Sequence, residues 1–158
     1  DRSLPTVLEL LPEEYRRLGL FTVGRLDRDT TGLLILTNDG DFAHRVISPK
    51  SDVEKCYEAR IDGETTPEEA ALFAAGLRLG DGTLCLPAKL ESLGPGRCRV
   101  RVREGKYHQV KRMLAAVGKP VLELRRISIG ELKLKAGSRP GSLVELDKKD
   151  LLAVLTQL

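Results

Sequence analysis

The segment Gly24-Arg25-Leu26-Asp27-Arg28-Asp29-Thr30-Thr31-Gly32-Leu33-Leu34 sets two carboxylates and two arginines between the apolar runs 20–23 and 33–36. Both runs read as buried strands. A turn that ends a core strand holds its side chains rigidly and aims them at a cleft, as a demanding reaction geometry requires. Asp27 directly follows the first run. A carboxylate there can serve as nucleophile or base if a cation keeps it ionised. Asp29, deeper in the turn, reads as a turn-former that satisfies backbone amides.

A second polar cluster follows about eighty residues later: Glu104-Gly105-Lys106-Tyr107-His108-Gln109-Val110-Lys111-Arg112-Met113-Leu114. Residues 107–117 have helical periodicity. Val110, Leu114 and Val117 share one face, and Tyr107, His108, Lys111 and Arg112 project on the other. Lys111 is suited either to an ion pair with a buried acid or to a phosphate contact. Arg112, Arg125 and Arg126 read as phosphate contacts, since arginine clusters position a nucleic-acid backbone without reading its sequence. Tyr57, mid-strand between charged residues and one of only six aromatics, is a candidate for stacking on an unpaired base.

The elements that position these residues follow from pattern. Residues 20–27 and 33–38 are expected as strands, and Asp39 as the N-cap of a helix to Ile47. Residues 54–62 read as strand. Thr66, Pro67 and Glu69 form a capping-box start for a helix that Gly76 ends. Residues 84–93 and 97–104 read as a hairpin whose second arm puts Cys98, Val100 and Val102 on one face and Arg97, Arg99, Arg101 and Arg103 on the other. Residues 121–129, 131–134 and 143–146 are expected as strands, 148–158 as a final helix, and 6–19 as one or two short helices. The fold class is α+β: a mixed, largely antiparallel sheet flanked by helices.

At 158 residues, 41% hydrophobic and 31% charged, the chain makes one globular domain. No apolar run approaches the roughly 20 residues that cross a membrane. No charged-then-apolar leader opens the chain, so a cytoplasmic location is expected. Three cysteines without Cys-x-x-Cys spacing and two scattered histidines point to neither a disulfide framework nor a metal site. The net charge of +3 is lopsided. Residues 97–139 hold 13 Lys/Arg and 3 Glu, a net of +10, against −7 for the rest. Such a half is the footprint of a polyanion binder.

Together the 24–34 segment, Glu54-Lys55-Cys56-Tyr57, the 104–117 cluster and Arg126-Ile127-Ser128-Ile129-Gly130 resemble the RsuA-like family of ribosomal RNA pseudouridine synthases. The form His108-Gln109-Val110-Lys111-Arg112-Met113 resembles the small-subunit rRNA branch. The resemblance implies the pseudouridine synthase catalytic fold with a central cleft, and isomerisation of a uridine to pseudouridine in 16S rRNA. It implies that Asp27 is the essential aspartate, attacking the nucleoside or removing a ribose proton. Tyr57 would stack on the uracil and help remove the C5 proton, and Lys111 would pair with the aspartate. Arg25 would hold the nucleotide out of its stack, and Thr30, His108, Gln109, Arg112, Arg125 and Arg126 complete the expected RNA contacts. The target must leave its helix before an acid can reach it, so binding must offset the cost of flipping.

The resemblance also implies a monomer that needs no cofactor and no metal and has no membrane partner. Family members usually begin with an S4 RNA-binding domain and an early strand carrying an Asn-Lys-Pro-x-Gly motif. Neither is in this sequence, so residues 1–158 are expected to be the catalytic domain, with a gap where that strand would lie. Two rivals remain. A non-catalytic RNA-binding or ribosome-assembly module predicts salt-sensitive binding without modification. A protein-binding α+β domain predicts no RNA affinity.

Overall fold

The computed structural model describes residues 7–155. A 3-10 turn at Val7–Leu10 and helix α1 (Glu13–Arg16) lead into a sheet built late in the chain. Its strands are β2 (Thr31–Gly32), β4 (Lys55–Ile61), β5 (Lys89–Ser92), β6 (Arg97–Val102), β7 (Val121–Ile129) and β8 (Leu132–Lys133), in the order β2-β7-β4-β6-β5 with β8 also on β7. Among the described residues only its β2–β7 pairing is parallel. The mixed, largely antiparallel α+β architecture is therefore as expected. The two-stranded ribbon of β1 (Phe21–Thr22) and β3 (Leu36–Thr37) stands apart from it.

Helix α2 (Gly40–Ile47) starts where Asp39 accepts from the Phe42 amide at 3.1 Å. Helix α3 (Pro67–Ala75) carries the full capping box: Thr66 accepts from the Glu69 amide, and Glu69 accepts from the Thr66 amide. These local signals satisfy orphan amides within one turn of chain, so they survive whatever the tertiary context. Helices α4 (Gln109–Ala116) and α5 (Lys148–Leu155) complete the set.

Alternation decides the two sheet faces. Tyr57, Ala59 and Ile61 lie on the same side as Cys98, Val100 and Val102, and this side packs against Phe73 of α3 and Met113 and Leu114 of α4. Phe73, Met113 and Leu114 are fully buried. A second apolar cluster joins α2, α5 and the ribbon through Val23, Ile35, Phe42, Val46 and Val154.

Several expected elements differ. The runs 20–27 and 33–38 yield two-residue strands, because Gly24 takes a positive φ of 73° and a turn from Asp27 to Thr30 interrupts the chain. Gly32 lies so close to β7 that a Cβ would fall 2.1 Å from the Arg126 carbonyl oxygen. Only glycine permits that approach. The first hairpin arm begins at Lys89 rather than residue 84, just after Pro87, which has no amide to donate. Residues 131–134 reduce to the two residues of β8. Residues 143–146 form no strand: Leu143 and Val144 are exposed and Glu145 accepts from the Tyr15 hydroxyl. The helix expected over 148–158 ends at Leu155 among the described residues; the rest of that expectation, and residue 6 of the first helical stretch, lie outside them.

Candidate active site

The turn carrying Asp27 is closed by the Thr30 amide, which donates to the Asp27 carbonyl at 2.9 Å. Its next residues enter the sheet as β2, so the carboxylate is fixed at the sheet rim with 27% of its side chain exposed. The start of helix α4 brings an amine and an imidazole to it. Lys111 Nζ lies 3.4 Å from Asp27 Oδ2, and His108 Nε2 lies 3.5 Å from Asp27 Oδ1. Both carboxylate oxygens thus face a nitrogen from the same helix start.

Lys111 also donates to Asp29 Oδ1. Asp29 is therefore more than a turn-former: it shares the amine with Asp27. Partial desolvation pulls the Lys111 pKa down, but the hydrogen bond to Asp29 and the charges of Asp27 and Asp29 outweigh it, and the net shift is upward. The same hydrogen bond is the main cause of an Asp29 pKa held below the usual carboxylate range. A lysine tied to two acids is a fixed positive charge, not a proton donor at neutral pH.

Tyr57 approaches through the sheet. It is the cross-strand neighbour of Arg126, and Arg126 is in turn the neighbour of Gly32, five residues after Asp27. The Arg126 guanidinium donates from Nε to the Leu33 carbonyl at 2.9 Å and reaches the Tyr57 hydroxyl at 3.5 Å. It is 4% exposed, with Nη2 buried and unpartnered. Arg126 therefore ties the phenol to the chain leaving the Asp27 turn and is not a surface phosphate contact.

Other expected RNA contacts also move. Gln109 turns inward: Nε2 donates to Glu104 Oε1 at 2.9 Å, Oε1 accepts from the Lys106 amide, and the residue is 4% exposed. Its position inside the first turn of α4 makes it a strut of the fold. Arg112 is half-buried and holds Asp81 at 2.5 Å and the Tyr107 carbonyl at 3.2 Å. Hydrogen bonds from the Thr83 backbone and side chain, ahead of Arg112, bring the Asp81 pKa to about 2. Arg125 projects from the sheet face opposite Tyr57, in register with Glu58. Thr30 is buried with its hydroxyl unpartnered, and Arg25 is exposed beside the turn.

The +10 surplus is largely consumed on folding. Eight of its thirteen cations form ion pairs among the described residues: Arg97, Arg99, Arg101, Arg103, Lys106, Lys111, Arg112 and Lys119. All but Lys106 pair with acids from outside the segment. A cavity of about 460 Å³ between Leu86, Ala74 and Arg101 contains none of Asp27, Tyr57 and Lys111. The candidate site is an open rim, which suits a macromolecular substrate better than a small enclosed one.

Residues 2–116 match the RNA pseudouridylate synthase family. The chain belongs to that family. Ribosomal small subunit pseudouridine synthase A of Escherichia coli strain K12 is 41% identical over 156 residues, covering 98% of this chain and 67% of that protein. An RNA pseudouridine synthase of Bacillus subtilis, YtzG, is 40% identical over 96% of this chain and 65% of its own length. A crystal structure of a pseudouridylate synthase superposes with a TM-score of 0.89 at 36% identity, over 95% of this chain and 65% of that one. The chain thus spans about two thirds of the length of the relatives it matches. Two residues of the rim were missed in the sequence as site members. Asp29 shares its turn with Asp27, and Tyr107 shares the polar face of the 107–117 pattern with His108 and Lys111, so a signal was present for both.

Proposed function

We propose that this chain is the catalytic domain of a cytoplasmic, monomeric enzyme that isomerises a uridine to pseudouridine in small-subunit ribosomal RNA. The glycosidic bond from C1′ to N1 breaks and a bond from C1′ to C5 forms; the C5 proton leaves and N1 ends protonated. Every group stays within one nucleotide, so the balance requires no external oxidant or reductant.

Asp27 begins the reaction, by attack on the nucleoside or removal of a ribose proton. Lys111 and His108 hold its two oxygens in place, which suits a carboxylate that must meet one atom of a flipped nucleotide. Tyr57 stacks on the uracil and lies near C5, with Arg126 fixing its hydroxyl. Arg25 and the half-buried His108 face the incoming RNA. Gln109 and Arg125 have no place in this contact set. The observation that carries the reading is the approach of Lys111 to 3.4 Å from Asp27 across more than eighty residues of chain.

The test is pseudouridine mapping on small-subunit rRNA incubated with the protein. Asp27→Asn is expected to lower the rate by roughly 10³-fold or more while leaving the fold intact. Equal product from that variant rejects the assignment, and RNA binding with no product from the unmodified chain favours the non-catalytic module.

A further inference from the structure

Tyr107 is 75% exposed, yet its ring is not loose. It stacks on His108 with centroids 3.8 Å apart and planes 15° from parallel. His108 in turn reaches Asp27, so the tyrosine stands one ring away from the reacting carboxylate. The pair is held by backbone that the sequence works to fix. His108 takes a left-handed conformation, φ 47° and ψ 36°, which a non-glycine residue rarely adopts. Arg112 donates to the Tyr107 carbonyl, and the Lys106 amine donates to the Leu84 carbonyl at 2.6 Å. Gln109 braces the same turn from below through Glu104 and the Lys106 amide.

One face of the Tyr107 ring is covered by His108. The other is open at the rim of the site. Extruding a nucleotide from its stack leaves the bases on either side with an uncovered π-face, and an exposed aromatic ring next to the extrusion point can cover one of them. We propose that Tyr107 is a stacking platform for the unpaired base adjacent to the target uridine, with His108 as the backing ring. This rests on the reading of Asp27 as the site of uridine chemistry. A rigid, pre-stacked ring loses little conformational freedom when a base lands on it, so it favours binding over an unbraced tyrosine.

The test uses the 158-residue chain with a nine-nucleotide single-stranded RNA. The probe has one central uridine, 2-aminopurine on its 5′ or 3′ side, and cytidines elsewhere. Wild-type protein is expected to quench one of the two probes. Tyr107→Ala is expected to abolish that quenching and weaken binding roughly 5- to 100-fold, whereas Tyr107→Phe retains both. On whole small-subunit rRNA the alanine variant is expected to raise KM by a similar factor with kcat changed less than threefold. Absence of quenching by the wild-type chain, or quenching that persists in Tyr107→Ala, overturns the platform. Far-UV circular dichroism confirms that the variants fold. A wild-type chain that quenches a probe but forms no pseudouridine keeps the platform and removes the isomerase reading, so the two failures are separable.

Discussion

Strand β6 and the Asp27 rim both carry dense charge, and they use it in opposite ways. On β6 every arginine meets an acid: Arg97 and Arg99 share Glu58, Arg99 also reaches Glu91, and Arg101 meets Glu54; Arg103, one residue past the strand, meets Asp52 and Glu54. Cations and anions alternate across three neighbouring strands and cancel locally. At the rim, one acid is flanked by an amine and an imidazole, and a second acid draws on the same amine. Its charges converge on Asp27. Counting Lys and Arg along the sequence does not separate these cases; the partners' geometry does. A run of four alternating arginines reads as part of a polyanion-binding face until its acids, most of them about forty to fifty residues distant, are placed beside it.

Removing a charge should therefore damage activity at the rim and stability on β6. After the loss of Asp27 itself, the largest effect is expected from Lys111→Met, which leaves Asp27 and Asp29 side by side without their shared cation. Pseudouridine formation should fall by about 10²-fold at saturating RNA, with Lys111→Arg recovering most of it. A loss confined to RNA affinity, with turnover intact, would return Lys111 to the role of phosphate contact and erase the contrast between the two regions.

A smaller effect, on a different readout, is expected from Glu58→Gln. The change leaves Arg97 without a carboxylate and Arg99 with Glu91 alone, at a site where Arg99 is about three-quarters buried and its Nε already lacks a partner. We expect a loss of about 1–2 kcal/mol, seen as a melting temperature lower by roughly 3–6 °C, with RNA binding within twofold of the parent. If thermal scans show no change while RNA affinity drops tenfold, β6 is an RNA face after all.

The same contrast explains what could be read in advance. Helix starts were legible because their signals are local: Asp39, Thr66 and Glu69 satisfy amides within one turn of themselves. Strand β7 was legible over its full length because nine residues of pattern outweigh any one contact. Asp27, Tyr57 and Lys111 stood out through resemblance, and the ion pair between the first and last follows from α4 packing beside β7. The short strands around Asp27 were not legible, since Gly24 and the close approach of Gly32 to Arg126 are tertiary demands. The inward turn of Gln109 depends on Glu104 being buried, and the face taken by Arg125 depends on register against Glu58. A sequence gives the residue type for each, but not the neighbour that captures it.

Lys55 lies between the two extremes and gives the finest test. It sits on β4, two residues before Tyr57, 9% exposed, with its amine donating to the Val46 carbonyl at 3.3 Å. Burial, with a smaller contribution from the Arg126 charge, lowers its pKa from 10.5 to about 8. Between those values the unfolded chain holds a proton that the folded chain has released, so stability should rise with pH through this window and be flat below it. Buried thiols act with the opposite sign: burial raises Cys98 to about 11, so above the ordinary thiol value of 9 the unfolded chain loses protons that the fold keeps. The clean interval is therefore pH 8 to 9. There Lys55 should add up to about 1 kcal/mol to the denaturant-derived stability, and Lys55→Met should remove that slope while raising the baseline at neutral pH. A slope that survives the substitution would mean that the amine keeps its proton in the fold, and that a buried cation near the rim is stabilised there much as the arginines of β6 are.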